Sequence, residues 1–185
     1  TRENFPEVRA GVTGQAALNN DQMTTVLGDM TRATWLSLLG VLTILLLTFR
    51  SLRRSAFEVF SLGVGICWTL GFATLVIGHL NILSVVFAPL LCGLGVDYGI
   101  HWFARYEEEE RHVGLDRKAV IRRVADRSGP GILLAGLSAA CSFLPLVLTC
   151  FRGLMELGII TGAGILLILL ADFTLLPALT VLFVE

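Results

Sequence analysis

Charge is scarce in these 185 residues: Asp, Glu, Lys and Arg together make up 16% of the chain, where a soluble domain carries about 25%. With 55% hydrophobic residues and a mean hydropathy of +0.77, the deficit excludes an ordinary soluble domain and points to a membrane protein. No nucleic-acid partner is expected of it. The four cysteines, Cys67, Cys92, Cys141 and Cys150, sit in or at the end of apolar runs with no CxxC spacing, so neither a disulfide framework nor a thiolate metal site is indicated. The three histidines, His79, His101 and His112, are dispersed, which leaves no metal constellation. A Walker-type GK[ST] is missing, and the third glycine after Gly93-x-Gly95 falls at Gly99, one position too late for a dinucleotide fingerprint. No cofactor is expected. The chain opens on Thr1 with no basic lead into a short apolar segment, so it shows no signal peptide and reads as a piece of a longer protein.

What the sequence does contain is a series of long apolar runs. Residues 1–19 are the only stretch of soluble character, and 1–32 together read as the end of an extracytoplasmic domain with a lead-in helix. Within them, Glu7 to Gly14 alternates like a short edge strand, and Asn20 with Asp21 suits a helix start leading into the apolar stretch. Five spans follow, at 33–49, 57–77, 82–103, 131–149 and 157–182. The second and third are joined by Gly78-His79-Leu80-Asn81, a link short enough to force an antiparallel hairpin. Between the third and fourth, the segment 105–129 carries both signs of charge and an apolar stripe of Ala119, Val120, Val124 and Ala125. It reads as an amphipathic surface helix at the membrane interface. Pro177 is expected to bend the last span. The fold expected is therefore an all-α membrane protein, a five-helix transmembrane bundle preceded by a short extracytoplasmic strand remnant.

The most informative stretch is Gly93-Leu94-Gly95-Val96-Asp97-Tyr98-Gly99, which places a carboxylate well inside the third span. An Asp at the centre of a spanning helix costs about 3 kcal/mol on insertion scales, so such residues face a protein interior and mark ion or proton paths. Gly93, Gly95 and Gly99 are helix-packing positions, and the Gly95/Gly99 pair is expected to shield the Asp97 side from lipid by admitting a neighbouring helix. Gly93, Asp97 and His101 share a face, with Tyr98 one residue round. Carboxylate, phenol and imidazole could pass a proton along the helix. The plainer readings are a hydrogen-bonded structural Asp97, a packing Tyr98 and an interfacial His101 that snorkels. Asp172 on the fifth span lies 15 residues after Leu157, as Asp97 lies 15 after Ile82, so both acids are expected roughly 22 Å below the outer edge of a ~30 Å core. Its structural alternative is a role beside Pro177. Ser138 and Ser142, at i and i+4 on the fourth span, could form a polar seam facing Asp97 or serve only as packing contacts.

Those residues carry a resemblance. Gly93 to His101, followed by Arg105-Tyr106-Glu107-Glu108-Glu109, is similar to the fourth membrane helix of the resistance-nodulation-division superfamily, in the branch of the MMPL proteins, hydrophobe/amphiphile exporters and hopanoid transporters. Val12-Thr13-Gly14, Phe151-x-x-Leu154-x-Glu156-Leu157-Gly158 and Leu176-Pro177-Ala178-Leu179 add to the likeness, which covers nearly the whole chain. It implies an exporter half whose helices two to six are present here, with Asp97 and Tyr98 matching the acid and phenol of a proton relay, and His101, Asp172, Ser138 and Ser142 as weaker members. The Thr-rich run frequent in the fifth helix of relatives is replaced by Ala135 to Ala140, leaving the two serines as hydroxyls. The implied function is proton-motive-force-driven export of hydrophobic, amphiphilic or lipid-like molecules, with protons as the coupling ion and no enzymatic activity. The implied partners are the substrate, membrane lipids, the missing remainder of the transporter with its other half, and further copies in a homo-oligomer. The implied location is the bacterial inner membrane. A lipid-sensing module similar to the sterol-sensing domain is the alternative.

Orientation follows from where the basic residues fall. The link after the first span holds Arg50, Arg53 and Arg54, and the stretch from Arg105 to Arg127 holds seven basic residues, whereas the opposite links hold none and Arg152 alone. The basic side is expected in the cytoplasm, with the N-terminal strand outside. A cysteine placed at Gly114 in a full-length background lacking the native cysteines should therefore resist a membrane-impermeant thiol reagent in intact cells. Labelling from outside would invert this topology.

Overall fold

A computed structural model describes residues 14–49, 51–79, 81, 84–111 and 117–183. The elements are α1 (Gln15–Phe49), α2 (Leu52–Val76), a 3-10 turn (Ser84–Val86), α3 (Phe87–Glu110), α4 (Arg117–Ser142), the single turn α5 (Leu144–Val147) and α6 (Arg152–Phe183). No strand occurs among the described residues, and five helices are long and apolar enough to cross a membrane. An α-helix satisfies its own backbone groups, which is why apolar runs of this length adopt it in lipid. Threonine hydroxyls follow the same rule: those of Thr34, Thr43, Thr69 and Thr180 each donate to the carbonyl four residues earlier, at 2.7 to 2.8 Å.

The N-terminal strand expected at 7–14 falls outside the described residues but for Gly14. The first helix begins at Gln15, ahead of the expected start at Asn20. Gly14 has φ +136°, where the chain turns, and its carbonyl accepts the Leu18 N–H at 3.0 Å to start the helix. At 35 residues α1 is about 50 Å long, so it exceeds a ~30 Å core and extends beyond it. Its inner face, Val41, Leu45 and Phe49, is buried, and Phe49 meets Phe103 of α3 edge-on at 5.5 Å.

The α2–α3 hairpin closes through Gly78, whose φ of +79° is the left-handed conformation that ends a helix. The N–H groups of Ile77 and Gly78 both donate to the Ala73 carbonyl. Asn81 then caps the entry to the next helix, its Oδ1 accepting the Ser84 N–H at 2.8 Å.

The segment 105–129 is not a separate interfacial helix. Its first part continues α3 to Glu110, and from Arg117 onward it is the opening half of α4, which runs through Pro130 to Ser142. A proline removes one N–H, and here the rest of the ladder carries the helix past it. The apolar stripe itself is real, since Val120 and Val124 are buried, but it faces the bundle. Helix α4 ends at Ser142, the membrane-length stretch continues through the short α5 to Val147, and Pro145 lies in the first turn of α5. Pro177 lies inside α6, which continues to Phe183.

Helices α2 and α6 pack closely because their contact is lined by small residues. A Cβ on Gly65 would lie 2.9 Å from the Ile168 Cα and 2.6 Å from its Cγ1. Backbone is thus nearly touching backbone, the arrangement through which small residues hold membrane helices together. Gly65→Ala in the full-length protein should lower the midpoint of thermal unfolding in detergent, by an overpacking cost of about 1–3 kcal/mol. Gly71→Ala, where nothing lies within 4 Å of the new Cβ, should leave it unchanged.

Candidate proton site

Three consecutive α3 residues point three ways. Asp97 is exposed on a groove between α3 and α4, Tyr98 is buried at 5% exposure, and Gly99 faces α2. The helical step of about 100° per residue produces this division. The groove has a volume of about 660 Å³, and along it lie Asp97, His101 and Arg105 from α3 with Ser128, Ala135 and Ala139 from α4.

This corrects several expectations. Gly95 and Gly99 do not shield Asp97. A Cβ on Gly95 would meet Leu62 and Ile168, and one on Gly99 would overlap the Glu58 carboxyl, so these glycines serve the α2/α6 side. A Cβ on Gly93 would meet nothing within 4 Å among the described residues. Ser138 and Ser142 are exposed and lie off the groove. The face of α4 turned to Asp97 runs through Ser128, Gly131, Ile132, Ala135 and Ala139, and neither serine lines the groove. The Ser142 hydroxyl instead donates to the Ser138 carbonyl at 2.9 Å. His101 does share the groove with Asp97.

Behind Tyr98 the structure becomes closed and polar. Tyr98 and Asp172 line one narrow cavity, too small for a water, together with Trp102 and Phe173. The two rings meet edge-on at 6.0 Å. Tyr98 lies within electrostatic reach of both Asp97 and Asp172, so the phenol stands between an open acid and a buried one. Asp172 is 3% exposed and accepts a hydrogen bond from the Ser61 hydroxyl at 2.6 Å. Beside it is Glu58 of α2, wholly buried, with neither carboxyl oxygen hydrogen-bonded.

Glu58 escapes the sequence reading because it stands one residue inside the second span, where an acid passes for an interfacial one. A signal was available. Ser55, Glu58, Ser61 and Thr69 recur at helical spacing and all have zero exposure, a polar stripe that an otherwise apolar helix would turn inward.

The remaining charges gather at the two ends of the bundle. At one end Arg54 of α2 pairs with Glu107 and, at 2.9 Å, with Glu110. There too the buried Glu109 is met by Arg105 at 3.0 Å and Arg127 at 3.1 Å. At the other end the buried Glu156 accepts from Arg152 at 2.9 Å and from the Asn81 amide at 2.5 Å, with His79 at 3.4 Å.

A bundle of membrane-length helices with titratable groups inside it defines a multi-pass membrane protein. The chain belongs to the MMPL family, which it matches over residues 2–185. It is 36% identical to the hopanoid transporter HpnN of Burkholderia multivorans over 93% of its own length and 20% of that protein. It is 32% identical to HpnN of Rhodopseudomonas palustris over 92% of its length and 20% of that protein. With the probable transport protein MmpL2 of Mycobacterium tuberculosis it shares 30% identity over 92% of its length and 18% of that protein. The chain thus spans about a fifth of the relatives it matches.

Proposed function

We propose that this chain is the membrane module of a proton-motive-force-driven exporter of hydrophobic, amphiphilic or lipid-like molecules, in which Asp97 and Tyr98 form the proton relay. The observation that carries the reading is the change of environment between adjacent residues: Asp97 opens on the α3/α4 groove, and Tyr98 lies buried between Asp97 and Asp172. A carboxylate that alternately gains and loses a proton needs a neighbour able to donate in one state and release in the other. A phenol hydroxyl does both. The names of the HpnN relatives support a lipid-like substrate. In the full-length protein the other half would cover the open side of the groove, so that Asp97 reaches water only through controlled openings. The protein would lie in the bacterial inner membrane as a homo-oligomer, with the N-terminal strand outside and the basic segment 105–129 in the cytoplasm. A lipid-sensing role accounts less well for an acid, a phenol and a second acid in sequence, because sensing requires no charge to move.

The test is transport by the full-length protein reconstituted in vesicles with an imposed pH gradient. Asp97→Asn should reduce export to background while insertion and abundance stay normal. Tyr98→Phe keeps the ring and removes only the hydroxyl. It should slow export by at least about tenfold, the order expected for loss of a positioned proton-transfer group. Undiminished export by Asp97→Asn would remove the relay.

A further inference from the structure

Four acids are buried among the described residues: Glu58, Glu109, Glu156 and Asp172. Two of them have cations. Glu109 is held by Arg105 and Arg127 and Glu156 by Arg152, and those pairs sit at the ends of the bundle. Glu58 and Asp172 lie together between the ends, and among the described residues no Lys, Arg or His pairs with either. The helices around them offer no hidden cation. On α4, Arg122, Arg123 and Arg127 are exposed and turned to Asp126 or Glu109. On α1 the charged Asp21, Asp29 and Arg32 are exposed in its first half, and α5 has no charged residue. From α3 the titratable neighbour is Tyr98, which lines one narrow cavity with Asp172, while Tyr106 lies under the Arg54 guanidinium at 5.8 Å.

Two adjacent carboxylates without a counter-charge in a dry apolar interior would each carry a large desolvation cost and repel one another. Three of their four oxygens have no hydrogen-bond partner: both of Glu58 and Oδ2 of Asp172. A single proton answers both deficits, cancelling one charge and supplying a donor between the two groups. A metal or sodium ion would need a shell of oxygens. Apart from the carboxyls the site provides the Ser61 hydroxyl, already directed at Asp172.

We infer that Glu58 and Asp172, buried between α2 and α6 against Gly99, form an internal proton-binding site in which the pair holds one proton between its carboxyls. Gly99 is part of the site, since any side chain there would displace the Glu58 carboxyl. Tyr98 links the pair to Asp97: its hydroxyl gives its proton to one acid as it takes one from the other, so that one proton moves and the phenol is left unchanged. That link rests on the transport reading above, whereas the proton site does not.

Infrared difference spectroscopy of the purified full-length protein in lipid nanodiscs, titrated from acid to alkaline pH, tests the site without using transport. A carboxylic-acid C=O band in the unmodified protein should shift in frequency in Glu58→Gln and in Asp172→Asn, where one buried acid remains, disappear in the double variant, and persist unshifted in Asp97→Asn. Glu58→Gln copies the neutral form of the side chain and should fold. Asp172→Asn, with helicity and monodispersity checked, gives an independent second reading. Gly99→Ala should shift the band. Absence of the band, an unshifted band in both single variants, its survival in the double variant, or a response to sodium in place of pH would each overturn the inference. A band behaving as expected upholds it even if export proves independent of the pH gradient, an outcome that would sink the transport reading alone.

Discussion

Burial of carboxyl groups in an apolar bundle is the constraint on which the arrangement of this molecule depends. A carboxylate removed from water must be met by a cation, by hydrogen-bond donors or by a proton. The chain uses cations at the ends of its helices, where long arginine side chains can stay partly in water, and provides none between the ends. The placement of Glu58 follows from that division. Its side chain fits between helices only because α3 offers Gly99 at that level, and Ser61, one turn along α2, directs its hydroxyl at the acid on α6.

The glycines have a different meaning from the one their spacing suggests. Gly65, Gly95 and Gly99 all line the contact of α2 with α3 and α6, where Ile168, Leu62 and Glu58 fill the space that a Cβ would need. On another side of α3 the packing is looser, and Asp97 stays exposed in the groove toward α4. The exposure of Asp97 and the burial of Glu58 are therefore two results of one rotational setting of α3. Tyr98, between them in sequence, is the residue that touches both environments.

The ion pairs at the bundle ends fix the helices against one another. Arg54 joins α2 to the end of α3, Arg127 joins α4 to Glu109 of α3, and Glu156 ties the start of α6 to the α2–α3 link through Asn81. Partly exposed pairs of this kind contribute modestly to stability, about 1 kcal/mol or less each. Their value lies in setting the register of helices whose apolar faces would slide with little cost.

Much of the architecture was legible in the sequence because hydropathy, helix length and hydrogen-bond satisfaction in lipid all act locally. The five membrane-length helices, the tight hairpin closed at Gly78 and the existence of an apolar stripe through Val120 and Val124 follow from runs and spacings along the chain. The continuity of α4 through Pro130 did not, since a proline reads as a boundary until the surrounding helix is seen to tolerate it. The side of α3 that its glycines serve, the displacement of Ser138 and Ser142 from the groove, and the meeting of Glu58 with Asp172 were decided only by tertiary structure. Each depends on how helices distant in sequence are rotated about their own axes. A periodic pattern places residues on a common face, but only the neighbours packed around a helix determine what that face meets.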